Sequence, residues 1–480
     1  MDSCPAEAIA GVTVVRDGGL VGVVADDPAT ARKALATIDA EWDEPPPITQ
    51  DLVDYLRSHP LEGGGGRQQD IDDSVGDVAD ALRAATATVT ATFTTAYLAH
   101  VPLETRAAVA EWDGGRVTVW VGTQMPFGVR SRVASALGID EVDVRAIVPP
   151  TGGAFGGKHA EEASSEAAIL ARATGRPVKV HWSRAEELRW GTVRPMAVID
   201  ATAALGDDGE LVAWDFLNIN SGDAALVPPY RIAARRLRYQ PAENPLRRGS
   251  YRALAATANN FARESVIDEL AHRIGEDPLE FRLTHLADER LAAVLRTATE
   301  RFDWSSPLDR SGQVPRPAIS RTEPAVGSLI GRGLAVGLEK GGRVATCAEV
   351  EVDPDGWVVV TRVLTAYDCG TVVNPDTVVN QIEGATMMAL GGCLLEAVPL
   401  ASGRLTEPSL SCYPLPRFRD VPEMEVVLCD RPDLPSAGAG ETPMIAVAPA
   451  VANALFDATG RRLCDLPLTP GRRLPSIRAG

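Results

Sequence analysis

The sequence predicts an α+β protein of at least two large units, and three observations predict it. Strand and helix patterns follow one another without the regular alternation that would build a parallel α/β sheet. Two glycine-containing turns, Gly206-Asp207-Asp208-Gly209 and Asp353-Pro354-Asp355-Gly356, each separate two runs of strand-forming residues. A length of 480 residues exceeds what one ordinary core organises, and a proline-rich stretch, residues 305–324, is the natural divide.

Taken in order, residues 12–24 read as a strand pair about Asp17-Gly18-Gly19, and 29–42 as a helix. Residues 45–69, with the run Gly63-Gly64-Gly65-Gly66, are turn-rich and polar and read as a surface connector. Val89, Ala91 and Phe93 then alternate as a strand, and 116–122 and 142–148 supply two more. The last of these leads into Pro149-Pro150-Thr151-Gly152-Gly153-Ala154-Phe155-Gly156-Gly157-Lys158. Ala163, Ala167, Leu170, Ala171 and Thr174 next recur at helical spacing until Gly175-Arg176-Pro177 ends the run. Residues 196–220 read as a hairpin, 261–274 and 277–286 as two helices, and 376–393 as another.

Composition narrows the function. With 65 acidic against 47 basic residues the chain carries a net charge of -18, which disfavours nucleic acid and anionic membrane surfaces as partners. Seven cysteines, an odd number without a CxxC pair, read as reduced thiols of a cytoplasmic protein and not as ligands of an iron–sulfur cluster. The six histidines show no zinc spacing. No apolar run reaches the roughly 18 residues of a membrane span, so no membrane insertion is expected, and no signal peptide opens the chain. Lysine occurs only at Lys33, Lys158, Lys179 and Lys340, which reads as compositional bias.

Two segments carry chemistry. In Ser436-Ala437-Gly438-Ala439-Gly440-Glu441-Thr442-Pro443 one carboxylate stands among small residues, before the apolar stretch 444–456. Thin glycine backbone admits a bulky ligand, and desolvation by the apolar stretch would make Glu441 a better base; a Glu in the first turn of a helix is the plain alternative. The second segment, Gly152 to Lys158, satisfies the G-x-x-x-x-G-K phosphate loop between a strand and a helix. Against a nucleotide hydrolase, His159 stands where Ser or Thr must hold magnesium, and Phe155 would fill the phosphate arc. A thin loop centred on Phe155 suits a flat, polar cofactor instead.

Thr151 to Lys158, then Asn374-Pro375 with Gln381-Ile382-Glu383-Gly384-Ala385, then Gly438-Ala439-Gly440-Glu441, resemble in order the signature of molybdenum hydroxylase large subunits, the xanthine dehydrogenase and aldehyde oxidase family. Tyr97 to Glu104, Thr123-Gln124 and Gly249-Ser250-Tyr251-Arg252 look most like its branch of isoquinoline 1-oxidoreductase β-subunits. The resemblance implies two molybdenum-cofactor-binding domains, 81–304 and 325–480, after a remnant of the N-terminal a/b hammerhead domain and linker, 1–80. It implies Glu441 as catalytic base and Gln124 as hydrogen-bond partner of an oxo ligand on the metal. Gly153, Ala154, Phe155 and Gly156 would line the cofactor, with Arg252, Gln381, Gly438 and Gly440 gripping it. The cofactor implied is molybdopterin in its cytosine dinucleotide form, holding molybdenum through its own dithiolene so that no side chain ligates the metal.

The activity implied is hydroxylation of an N-heteroaromatic or aldehyde carbon with water as oxygen source, with electrons passed to 2Fe–2S clusters on a small partner subunit and onward to a flavin or cytochrome subunit. The family carries a substantial segment ahead of the point where Met1 stands, expected here from a separate chain; a shortened, non-catalytic scaffold and, more remotely, the P-loop hydrolase are the alternatives. Gly337-Leu338-Glu339-Lys340-Gly341-Gly342-Arg343 also departs from the Gly-Gln-Gly loop of xanthine-type members. Gly249 stands where carbon monoxide dehydrogenases carry a copper-bridging Cys, which disfavours CO oxidation.

Overall fold

A computed structural model describes residues 1–43, 46–61, 70–159, 162–308, 327–406 and 409–474. The fold is α+β, built on three mixed sheets. The largest has six strands and is centred on Ala87–Thr95, Ala197–Leu205 and Leu211–Ile219. The expected hairpin pairs antiparallel from Val198↔Ile219 to Leu205↔Leu211, and Ala234–Gln240 then adds in parallel. A second sheet joins Leu329–Glu339, Gly342–Val352, Val358–Asp368 and Glu423–Leu428. The third, of Val144–Ile147, Arg116–Val121, Ala107–Asp113 and Val178–His181, carries the helices Pro126–Leu137 and Glu162–Thr174. The N-terminal ribbon Thr13–Asp17/Leu20–Val24 packs on that last helix.

The two large sheets share one core. Residues from Val89 to Leu468 form a single buried apolar cluster, crossed by the helix Ala256–Ile274, which is buried on nearly every face. Phe93 meets Phe261 edge-on at 5.5 Å, and buried polar groups stitch the halves together. The Glu264 carboxylate accepts from the Tyr230 hydroxyl (2.7 Å), Arg282 Nε (2.9 Å) and the Val336 amide (3.1 Å). Asn260 donates to the carbonyls of Val336 (2.9 Å) and Ile445 (3.0 Å). A buried carboxylate is tolerated because three donors, one of them cationic, surround it. The helix Val447–Thr459 lies so close on the strand Leu329–Glu339 that a Cβ at Gly333 would stand 2.2 Å from the Ala454 nitrogen.

Two expectations are corrected. The helix expected over 29–42 is Pro28–Leu35, because Asp39 leaves it to exchange backbone hydrogen bonds with Asp2 (2.7 and 3.0 Å). The expected connector 45–69 contains a docked helix, Leu52–Ser58, whose Leu56 is fully buried and whose Arg57 grips Asp200 with both nitrogens (2.6 and 2.7 Å). Its glycine run lies outside the described residues, as does most of the proline-rich stretch 305–324.

Candidate functional site

The glycine loop leaves the strand Val144–Ile147 and turns through Phe155 (φ +54°) and Gly156 (φ +102°) into a short turn, Gly157–His159. At Gly156 only glycine fits: a Cβ would stand 2.3 Å from the Ser250 carbonyl oxygen, in a backbone conformation other residues avoid. The loop is pinned from several sides. Gln124 donates its backbone amide to the Lys158 carbonyl (3.1 Å) and accepts from the Gly156 amide at Oε1 (3.1 Å). Lys158 is buried, and its ammonium pairs with Glu104 (2.6 Å), whose other oxygen accepts from the Gly152 amide (3.0 Å). The Lys158 contact holds the Glu104 carboxyl below the usual range. A lysine turned inward onto a carboxylate is not presented to a phosphate, so the phosphate-loop pattern is met in letters and not in geometry.

His100 supports the loop from beneath, its Nδ1 facing the Thr192 carbonyl (3.0 Å) and its Nε2 the Ser250 carbonyl (2.5 Å). Burial pushes its pKa down to about 4, against the two carbonyls, which favour the protonated ring.

Arg252 is where the distant motifs meet. Its amide donates to the Phe155 carbonyl (2.9 Å). Its guanidinium donates to the Gly440 carbonyl (2.6 Å) and to the Gln381 carbonyl and side chain (3.0 and 2.9 Å). Gln381 projects from the helix Pro375–Leu394, which opens on an Asn374 cap and Pro375, as residues of those types favour. The next two residues after Arg252, Ala253 (φ +68°) and Leu254 (φ +52°), are both left-handed without being glycine. Such strain is held only where surroundings impose it, and here it turns the Ala253 amide onto Glu441 Oε1 (3.3 Å).

Glu441 begins the short turn Thr442–Met444 ahead of the buried helix Val447–Thr459. Its Oε2 pairs with the Lys340 ammonium, which extends from the turn between Leu329–Glu339 and Gly342–Val352. The expected desolvation is therefore not what surrounds this carboxylate. The apolar segment is buried behind the turn, while the side chain is 32% exposed and ion-paired. Gly438 and Gly440 face open space, since nothing lies within 4 Å of a Cβ at either, and Phe155 and Gln381 are exposed on the same rim.

The structure thus brings together Gln124, Phe155, Gly156, Arg252, Gln381, Gly440 and Glu441; Gly153 packs on the Phe155 ring, the Ala154 carbonyl accepts from Gly157, and Gly438 is fixed by the Tyr367 hydroxyl (2.6 Å). Residues that sequence reasoning missed are Glu104, His100, Ala253 and Lys340. One signal existed: of four lysines in the chain, Lys158 and Lys340 both stand here.

Among the described residues no group of three or more His, Cys, Asp or Glu side chains could hold a metal ion. The donors here are backbone amides, an amide side chain and a guanidinium, beside open space and an exposed ring. That set suits the oxygen and nitrogen atoms of a broad organic cofactor, and any metal would arrive with ligands of its own. The comparisons agree. Models of the molybdopterin cofactor-binding domain match residues 65–286 and 342–422. A nicotinate dehydrogenase subunit of Pseudomonas putida is 30% identical over 97% of this chain and 41% of its own length. The beta subunit of isoquinoline 1-oxidoreductase from Brevundimonas diminuta is 31% identical over 77% of this chain and 48% of its own length. Quinoline 2-oxidoreductase from Pseudomonas putida 86 superposes with a TM-score of 0.82 at 19% identity, covering 98% of this chain and 91% of that one. The chain belongs to the molybdenum hydroxylases, as a molybdopterin-binding large subunit of the xanthine dehydrogenase and aldehyde oxidase family. It spans about half the length of the two curated relatives. Among the described residues no helix is long and apolar enough to cross a membrane.

Proposed function

We propose that this chain is the catalytic subunit of an oxidoreductase that hydroxylates a carbon of an N-heteroaromatic or aldehyde substrate with oxygen from water. The observation that carries the reading is the junction on Arg252 of the glycine loop, Gln381 and the Gly440-Glu441 turn. Gln124, Gly153, Ala154, Phe155, Gly156, Arg252, Gln381, Gly438 and Gly440 hold the cofactor, in its cytosine dinucleotide form. When bound, the molybdenum cofactor supplies the two-electron oxidant and the activated, water-derived oxygen.

The protein supplies the proton acceptor and its orientation. Glu441 takes the proton at Oε2 while the Ala253 amide steadies Oε1, and Lys340, which pairs with Oε2, must release it for the transfer. A small partner subunit carrying 2Fe–2S clusters would take up the electrons, with a flavin or cytochrome subunit beyond it. The chain divides at 1–80, 81–304 and 325–480. The names of the nicotinate and isoquinoline relatives favour a nitrogen heterocycle over an aldehyde.

Glu441→Gln tests the reading in the purified complex. The variant keeps about one molybdenum per chain, as the wild type does, and loses roughly 10²–10⁴-fold in kcat. Unchanged turnover refutes the base, and a folded wild-type protein free of molybdenum refutes the catalytic reading in favour of a scaffold.

A further inference from the structure

We infer that the cavity behind the 249–255 turn binds the carboxylate of a small, single-ring substrate, with Arg194 and Arg248 as its cationic wall. This rests on the catalytic reading above and adds the substrate's charge. The cavity, of about 260 Å³, is lined by Arg194, Pro195, Asp223, Arg248, Tyr251 and Leu254 among others. It falls just below the range of roughly 300–1,000 Å³ for drug-sized ligands and so suits one ring with a short substituent.

Its wall is continuous with the site. Leu254 lines the cavity, while the preceding residue, Ala253, holds Glu441. The Val193 amide donates to the Arg247 carbonyl and the Gly249 amide to the Val193 carbonyl (both 2.9 Å), so the two arginines come from backbone segments zipped side by side.

The polar groups of this wall lack acceptors. Arg194 is 5% exposed and Tyr251 1%, yet Arg194 Nε and the Tyr251 hydroxyl are buried with no hydrogen-bond partner, as is Arg248 Nη1. Three such donors gathered on the wall of one cavity leave room for an acceptor brought by a ligand. Arg194 is also locked in place: its other two nitrogens donate to Thr257 Oγ1 and the Ala96 carbonyl (both 3.2 Å), and its guanidinium lies 5.6 Å from the Tyr251 ring centroid.

Its charge is only partly offset nearby. Glu396, which interacts with Arg194, is hydrogen-bonded to Tyr413 (2.9 Å), and burial raises its pKa to about 7, so it offsets only part of one charge at neutral pH; Asp223 at the cavity edge is exposed and single against two guanidinium groups. The cavity is therefore net cationic. Pro195, Leu254 and the Tyr251 ring supply apolar contact for the rest of the molecule.

The test uses benzoate and its neutral isostere benzamide on the intact purified complex, by calorimetry and thermal shift. Benzoate binds at least tenfold more tightly than benzamide, and Arg248→Met removes that preference while leaving molybdenum content unchanged. Arg194→Lys, which keeps a charge but shortens the fork, weakens benzoate at least tenfold and guards against misfolding of a bolder variant. Equal binding of the two probes, or both variants keeping full benzoate preference, overturns the inference and leaves the catalytic reading intact. Absence of molybdenum or of turnover from the wild-type complex overturns that reading instead.

Discussion

Adding one methyl group at Gly156 tests the architecture of the site most directly. A Cβ there would lie 2.3 Å from the Ser250 carbonyl oxygen and 2.7 Å from its carbon, where ordinary contact begins near 3.4 Å, so the loop and the 249–255 turn must part by about 1 Å. The φ of +102° adds strain of about 1–3 kcal/mol for a residue with a side chain, and forced overpacking adds about 1–3 kcal/mol more. The protein relieves this by moving the outer part of the loop, because Gly152, Gly153 and Phe155 are exposed and the shared core is not. Gly156→Ala therefore keeps its unfolding temperature within a few degrees but loses the Gly156 amide contact to Gln124 and the Arg252 contact to Phe155. A displacement near 1 Å at a positioned group costs on the order of 100-fold in rate. We expect molybdenum content well below wild type, or kcat/KM lower by about that factor, measured by metal analysis and steady-state assay. Full molybdenum occupancy with wild-type kcat/KM would refute the role given to this close approach.

Other substitutions probe the charges. Lys340→Ala removes the ion pair that occupies Glu441 Oε2, so kcat/KM changes severalfold with molybdenum content unchanged; an unaltered kcat/KM excludes the ion pair from catalysis. Glu104→Gln strands the buried Lys158 ammonium; because Glu104 is itself 46% exposed, we discount the loss to about 1–2 kcal/mol. The folded state lowers the Glu104 pKa, so its contribution is present above the ordinary value of 4.5 and disappears as pH falls below it, where variant and wild type converge in denaturant titrations. Glu396 has the opposite sign. Burial raises its pKa to about 7, so its own contribution is fully present below 4.5 and declines as pH rises towards 7. Glu396→Gln should flatten that decline and be more stable than wild type at pH 8 by about 3 kcal/mol; equal slopes would show that the acid titrates normally.

What the sequence disclosed about the site came from backbone demands. Phe155-Gly156 and Gly438-Ala439-Gly440 are legible because few residue types permit such close approaches and open faces, and Arg252 and Gln381 are legible through the motifs around them. Lys340 and Ala253 are not, because their contact with Glu441 spans 101 and 188 residues and leaves no local pattern. The same split runs through the fold. The hairpin Ala197–Leu205/Leu211–Ile219 shows in its turn residues, whereas the strand Ala107–Asp113 opens Ala-Ala-Val-Ala and alternates too weakly to read. The helix Glu289–Phe302 carried an unread signal, an Asp288 cap ahead of Leu291, Leu295, Ala298 and Phe302 at helical spacing. Leu52–Ser58 was obscured by glycine and proline on both sides, and only docking of Leu56 and Arg57 makes it a helix.

The buried knot at Glu264 has a consequence for how the protein is loaded. Prising the halves apart would strip that carboxylate of the Val336 amide and Asn260 of two carbonyl acceptors in the buried core, at a cost of about 1–3 kcal/mol for each group left unpaired, besides the apolar surface exposed. A large guest therefore has two ways in: sideways along the rim of Phe155 and Gln381 in the finished molecule, or during biosynthesis, before the chain has closed around it.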